Sequence, residues 1–192
     1  MLFSRFTSGM AALLLTVSSL PAVEPAAKPV VIDRLTFSQP LATNGWHFYA
    51  WSRSTEGIPA SVTTDGNPAV RLDAVDVGAI GLTSYIYPIL AADKGWRITM
   101  RICGSADYAG NVIWCFVAPT DASGKFLPPA INLSPKLTAT VHWQTVELTI
   151  SRQQLPYGSE HVTFNLTTAS VKDVVQSGYL MLDDVVIEAL RE

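Results

Sequence analysis

The 192-residue chain carries 13 Lys and Arg against 16 Asp and Glu, a formal net charge of −3, with 48% hydrophobic and only 15% charged residues. Its cations are scattered singly, which excludes the clustered basic surface that phosphate binding requires, so no nucleic-acid partner is expected. Beyond the first thirty residues, roughly 160 remain, enough for one domain that buries about 70% of its unfolded surface without a metal or disulfide staple.

The opening residues MLFSRFTSGMAALLLTVSSLPA set Arg5 before a short apolar run from Met10 to Leu20, followed by a small-residue exit at Pro21 and Ala22. That layout predicts a secretory signal peptide over 1–22 rather than a retained anchor, because the run falls short of the about 20 residues that span a bilayer. Residues 23–29 (VEPAAKP) read as a flexible lead-in and 30–192 as a single domain. Nothing later in the sequence resembles a membrane span, so the mature protein is expected to be secreted, periplasmic or held in the cell envelope.

Strand patterns then follow one another at spacings of roughly 8 to 20 residues. They cover Ala69 to Ala74, Leu82 to Leu90, Trp96 to Cys103, Val112 to Ala118, Trp143 to Ser151, His161 to Thr168 and Tyr179 to Ala189. Turn chemistry separates them, as at Asp65-Gly66-Asn67-Pro68, Ala109-Gly110-Asn111 and Ser123-Gly124-Lys125. Leu127 to Val141, with three prolines, reads as a long surface loop bearing at most an edge strand. Ser170 to Gln176 is the one stretch with helical character, and it is too short for more than a turn or two.

Period-two alternation assigns the faces. Ile98, Met100 and Ile102 face inward, and Arg97, Thr99, Arg101 and Cys103 outward. Val146, Leu148 and Ile150 face inward, as do Val162, Phe164 and Leu166, leaving Thr163, Asn165 and Thr167 outside. One apolar and one polar face per strand, without alternating helices, predicts an all-β fold, a sandwich of two antiparallel sheets.

The order of motifs resembles a known family. Thr36-Phe37-x-x-Pro40-x-x-x-Asn44-Gly45-Trp46 precedes Gly66-Asn-Pro-Ala-Val-Arg-Leu72, then Tyr85 to Ile102, a strand opening at Trp143-Gln144, and the closing GYLMLDDVVIE from Gly178 to Glu188. Together these are similar to the galactose-binding-like jelly-roll modules, especially the carbohydrate-binding modules attached to xylanases and glucanases. The resemblance implies a jelly-roll β-sandwich and a non-catalytic, lectin-like role toward a poly- or oligosaccharide. It also implies a structural calcium, carried over to Asp183 alone, and the glutamate expected after the opening Phe37 is replaced by Ser38. The alternatives are a structural or adhesive envelope domain that recognises protein, and a polysaccharide-active enzyme.

Sugar binding needs aromatic faces for the C–H-rich sides of pyranose rings and planar polar groups for the hydroxyls. Trp51, Tyr85 and Tyr87 are the aromatic candidates, and Arg101 and Asn165 the polar ones; Glu147 also sits on an outward face. Trp46 and Trp143 read as packing tryptophans. Cys103 and Cys115 suit an oxidising compartment and pose a choice. If they pair, Cys115 shares the polar face and alternation sends Trp114 and Phe116 into the core; if they are free, Trp114 lines a cleft. Export favours the disulfide. An enzyme needs two carboxylates facing one cleft, but Asp73 and Asp76 point to opposite strand faces, and so do Asp183 and Asp184. No G-x-S-x-G elbow or phosphate-cradling glycine loop is present.

Overall fold

A computed structural model describes residues 28–39, 43, 45–50, 61–64, 67–74, 80–134, 137–168 and 177–192. The expected signal peptide, Trp51 and the Ser170 to Gln176 stretch lie outside the described residues.

Inward-facing apolar side chains every second residue build two six-stranded antiparallel sheets. The first contains β1 (Lys28–Leu35), β3 (Ser61–Thr64), β4 (Asn67–Asp73), β7 (Asp93–Gly104), β10 (Gln144–Ser151) and β12 (Tyr179–Arg191), in the order β10-β7-β12-β4-β3 with β1 also on β12. The second contains β2 (His47–Ala50), β5 (Ile80–Thr83), β6 (Tyr87–Pro88), β8 (Ile113–Thr120), β9 (Ile131–Asn132) and β11 (His161–Thr168), in the order β2-β5-β11-β8-β9 with β6 also on β11. From β4 onward the chain passes repeatedly from one sheet to the other, the connectivity of a jelly-roll sandwich. No helix among the described residues is long and apolar enough to cross a membrane.

The core lies between the sheets. From the first come Leu72, Ile98, Met100, Ile102, Leu182 and Ile187; from the second come Leu82, Ile113, Val117, Val162, Phe164 and Leu166. The alternation expected for β7, β10 and β11 is present throughout, and cross-strand register locks it: Leu148 faces Ile98 and Ile150 faces Trp96. Burying each such side chain contributes about 1.5–3 kcal/mol.

Four local features depart from the sequence pattern. β1 starts at Lys28, where Lys28 and Pro29 pair with Arg191 and Leu190, so ordered sheet begins before residue 30. The Leu82 to Leu90 strand is two short strands, because the buried Ser84 hydroxyl accepts Phe164 N–H (2.9 Å) and donates to the Tyr85 carbonyl (2.7 Å), breaking the ladder. Within Leu127 to Val141, the edge strand is β9, whose Asn132 pairs with Phe116. In β12 an extra residue enters between Asp183, opposite Arg101, and Val186, opposite Thr99; Asp184 takes it up with a φ of 48°. That bulge reverses the phase, so Asp183 stays outside with Met181 while Val185 turns into the core.

At one rim the two sheets are tied by a carboxylate. Asp33, on β1, accepts the Trp46 indole N–H (2.6 Å) and the Tyr87 hydroxyl. Trp46 is wholly buried, as expected of a packing tryptophan.

Candidate functional site

The outer face of the second sheet carries the side chains that alternate away from the core. On β8 these are Trp114, Phe116, Ala118 and Thr120; on β11 they are Thr163, Asn165 and Thr167; on β5, Thr83. After β8 the chain folds back over this face. Asp121 Oδ1 accepts Ser123 N–H (2.8 Å), Ser123 Oγ–H (2.6 Å) and Lys125 N–H (3.0 Å), and Gly124 closes the turn at a φ of 82° that a residue with a Cβ rarely adopts. Those bonds to the charged form hold the Asp121 carboxyl below its ordinary value, the Ser123 hydroxyl contributing most. Phe126 bridges back to Thr120, and Pro128, Pro129 and Ala130 complete a wall.

Between this wall and the sheet runs a groove of about 650 Å³. Its apolar lining comes from Phe116, Ala118, Phe126 and the two prolines; its polar lining is Thr83, Thr120, Thr163 and Asn165. Phe126 is 45% exposed, a large apolar ring held in solvent by the turn beneath it. Three of the polar side chains have partners within the fold: Thr83 donates to Asn165 Oδ1 (2.5 Å) and Thr163 to the Ala118 backbone carbonyl (3.3 Å). With Oδ1 engaged, Asn165 keeps its Nδ2 donor pair for a ligand. No ionisable residue lines the groove among the described residues, so its chemistry is stacking and neutral hydrogen bonding.

The residues singled out in the sequence are scattered by the fold. Among the described ones, Asn165 lies in the groove, on its floor and only 6% exposed. Arg101 is on the opposite side of the sandwich, on the outer face of the first sheet, with its guanidinium 3.1 Å from Asp183 and 5.0 Å from the Trp143 ring centroid. Glu147 shares that face, 3.8 Å from Arg97. Trp143 is thus half-buried on an outer face, not in the main core. Tyr85 and Tyr87 meet edge to face, with ring centroids 6.2 Å apart, but differ in exposure. Tyr85 stands exposed on the β5–β6 connection, whereas Tyr87 turns inward against Phe164 and is anchored to Asp33. Burial, and next the facing Asp33 carboxylate, push the Tyr87 phenol far above its ordinary value. Tyr87 is thus partly buried, packed against the core on one side and against exposed Tyr85 on the other.

Cys103 and Cys115 are free thiols, which corrects the expected disulfide. Cys103 lies on the outer face of the first sheet beside Ala69 and Met181, while Cys115 points into the core from the second sheet. A whole sheet layer separates them. Burial pushes the Cys115 thiol far above its ordinary value. With the thiols apart, Trp114 and Phe116 face outward, and Phe116 lines the groove. Phe116 and Phe126 are what the sequence reading missed. The signal for Phe116 was the β8 alternation itself, overruled by the assumed pairing.

Asp183 is 3% exposed, and burial followed by the neighbouring Asp184 charge raises its pKa. Its carboxylate accepts Asp184 N–H (2.8 Å) and faces the Arg101 guanidinium. Among the described residues no group of three or more His, Cys, Asp or Glu converges. The Asp183 carboxylate is matched by a guanidinium, whereas calcium takes six to eight oxygen ligands.

No family model and no curated protein sequence matches the chain. Solved structures do. The CBM22-1 xylan-binding domain of Paenibacillus barcinonensis Xyn10C aligns with a TM-score of 0.58 at 12% identity, over 87% of this chain and 99% of that one. The CBM22-1–GH10 modules of Clostridium thermocellum xylanase Xyn10B, complexed with xylohexaose, align with a TM-score of 0.57 at 12% identity, over 83% of this chain and 28% of that one. The enzymatically active domain of bacteriophage CBA120 tailspike protein 4 aligns with a TM-score of 0.50 at 12% identity, over 74% of this chain, which spans only 19% of the tailspike chain. At this identity the likeness is one of architecture: the chain has the jelly-roll β-sandwich fold of carbohydrate-binding modules.

Proposed function

We propose that the chain is an exported, non-catalytic carbohydrate-binding module. It takes an extended neutral polysaccharide, β-1,4-xylan being the leading ligand, along the outer face of the second sheet. The observation that carries this reading is the groove itself, with aromatic rings at Phe116 and Phe126 and an uncharged floor of Thr83, Thr163 and Asn165. Rings of this kind bury the C–H faces of pyranoses, and neutral donors and acceptors meet their hydroxyls. Two of the structures that share the fold bind xylan or hold xylohexaose, which supports the choice of ligand.

The absence of ionisable groups among the described lining residues favours binding over hydrolysis, since acid–base cleavage needs two carboxylates about 5–10 Å apart across the bond. The leader-like residues 1–22 support export. Affinity electrophoresis of residues 23–192 through gels containing soluble β-1,4-xylan tests the reading. Retardation that Phe126→Ala weakens supports it; free migration through xylan, mixed-linkage glucan and glucomannan alike would overturn it.

A further inference from the structure

One polar atom on a residue that lines the groove is not accounted for by the fold: it is covered in the free protein and reaches the groove only if the side chain turns. Thr120 Oγ1 is the buried side-chain oxygen or nitrogen that lacks a hydrogen-bond partner among the described residues. Buried hydroxyls are nearly always paired, because leaving one unpaired costs about 1–3 kcal/mol. The other polar side chains of the groove have internal partners, so Thr120 differs from its neighbours Thr83, Thr163 and Asn165. Its backbone is firmly fixed: the Thr120 carbonyl accepts Glu160 N–H (2.9 Å), and the residue pairs with His161 on one side and bridges to Phe126 on the other. Only the side chain is left to adjust, by rotation about χ1.

We infer that the Thr120 hydroxyl is a ligand-selecting group, kept unsatisfied in the free protein and paired by a sugar hydroxyl when a chain occupies the groove. The inference rests on the groove reading above and deepens it. Its position is suited to the role, since Thr120 stands where the sheet floor meets the wall carrying Phe126. A sugar ring stacked on Phe126 brings its ring substituents to that junction. A site that must hydrogen-bond its ligand also rejects analogues lacking the matching hydroxyl, which purely apolar walls do poorly.

The consequence is a pair of opposite effects from one substitution. Thr120→Val keeps the β-branched shape and removes the hydroxyl. Binding to soluble β-1,4-xylan should weaken about five- to tenfold, the worth of one hydrogen bond. Thermal stability of the free protein should meanwhile rise by about 2–4 °C, as an unpaired buried hydroxyl is lost. Thr120→Ser restores the hydroxyl and should return affinity to near wild type.

Calorimetric titration with xylan, together with thermal melts of the three proteins, gives the answer. Weaker binding with a higher melting temperature for Thr120→Val, rescued in Thr120→Ser, supports the inference. Unchanged affinity in Thr120→Val overturns it, and so does a lowered melting temperature, which would mean that the hydroxyl is satisfied in the fold. If Phe126→Ala weakens binding while Thr120→Val does not alter it, the groove reading stands and the Thr120 inference alone fails. If the wild-type protein binds none of xylan, mixed-linkage glucan and glucomannan, the groove reading fails and takes the inference with it.

Discussion

Both outer faces of this sandwich are made by the residues that alternate away from the core, yet they differ in what they leave available. On the first sheet, charges and rings satisfy one another: Arg71 bonds Asp73 (2.7 Å) and lies 4.1 Å from the Tyr179 ring centroid, Arg101 joins Asp183 and Trp143, and Arg97 joins Glu188 (2.6 Å). Beneath them Ala69, Cys103 and Met181 are covered. On the second sheet no ion pair closes the lining among the described residues, and the Asp121 turn holds Phe126 away from the sheet so that a groove stays open. A polar face that completes its own bonds is a surface. An uncharged face with a raised aromatic wall is a place for a ligand.

This contrast can be broken by mutation, and the largest effect belongs to the groove. Phe116→Ala with Phe126→Ala should reduce xylan binding by at least about a hundredfold, two aromatic contacts at about 1.4 kcal/mol or more each. Phe126→Ala alone should cost about tenfold in affinity, while its melting temperature stays close to wild type because the ring is half-exposed and lost surface contacts are worth about 0.5 kcal/mol or less. On the opposite face, Trp143→Ala should leave xylan affinity unchanged while lowering the melting temperature; a loss of binding there would move the site to the first sheet.

A pH profile separates the faces further. Because the Asp183 pKa is raised, mainly by burial, protonation favours the folded state. Its contribution to stability is full below the unfolded carboxylate value, near 4, and is lost as pH rises through the raised folded value. Chemical unfolding of Asp183→Asn across pH 3 to 7 should lack that decline, whereas xylan affinity should stay the same as in wild type. The opposite sign holds for Asp121, whose pKa is lowered chiefly by the Ser123 hydroxyl: its support for the turn is present above the unfolded value and lost as pH falls through the lowered one. Affinity should therefore weaken at strongly acid pH through loosening of the wall, whereas Asp121→Ala should bind more weakly at every pH and lack that acid-dependent loss. The smallest effect expected is on the thiols. Adding a reductant should not shift the melting temperature, since Cys103 and Cys115 are unpaired; a clear drop would reinstate the disulfide.

The strands with sustained alternation were legible in the sequence. His161–Thr168 has the bounds its pattern gives, and the inward sets on β7 and β11 with Ile150 of β10 are in the core, Val146 and Leu148 packing against it. What the pattern lacks is which sheet a strand joins. Cys103 faces out of its strand and Cys115 into the core from its own, and only the crossing from β7 to β8 between sheets shows that the two thiols point away from each other's reach. A single inserted residue also defeats period-two reading, as at Asp184, and a side chain that replaces a backbone acceptor, Ser84, splits a strand that looks continuous. The groove wall was hidden for a related reason. Its residues from Asp121 to Ala130 have no periodicity, because an Asx-type turn and two adjacent prolines shape them, so the sequence showed a loop where the structure places Phe126 over the sheet.

The direct test of the groove is a titration of isotope-labelled protein with xylohexaose, followed by the backbone amide shifts of both outer faces. Progressive shifts should appear at Phe116, Ala118, Thr120, Phe126, Thr163 and Asn165, with Arg71, Arg101, Met181 and Glu188 unmoved. Shifts confined to the first-sheet residues, or none on either face at millimolar sugar, would contradict the assignment of the second-sheet groove as the ligand site.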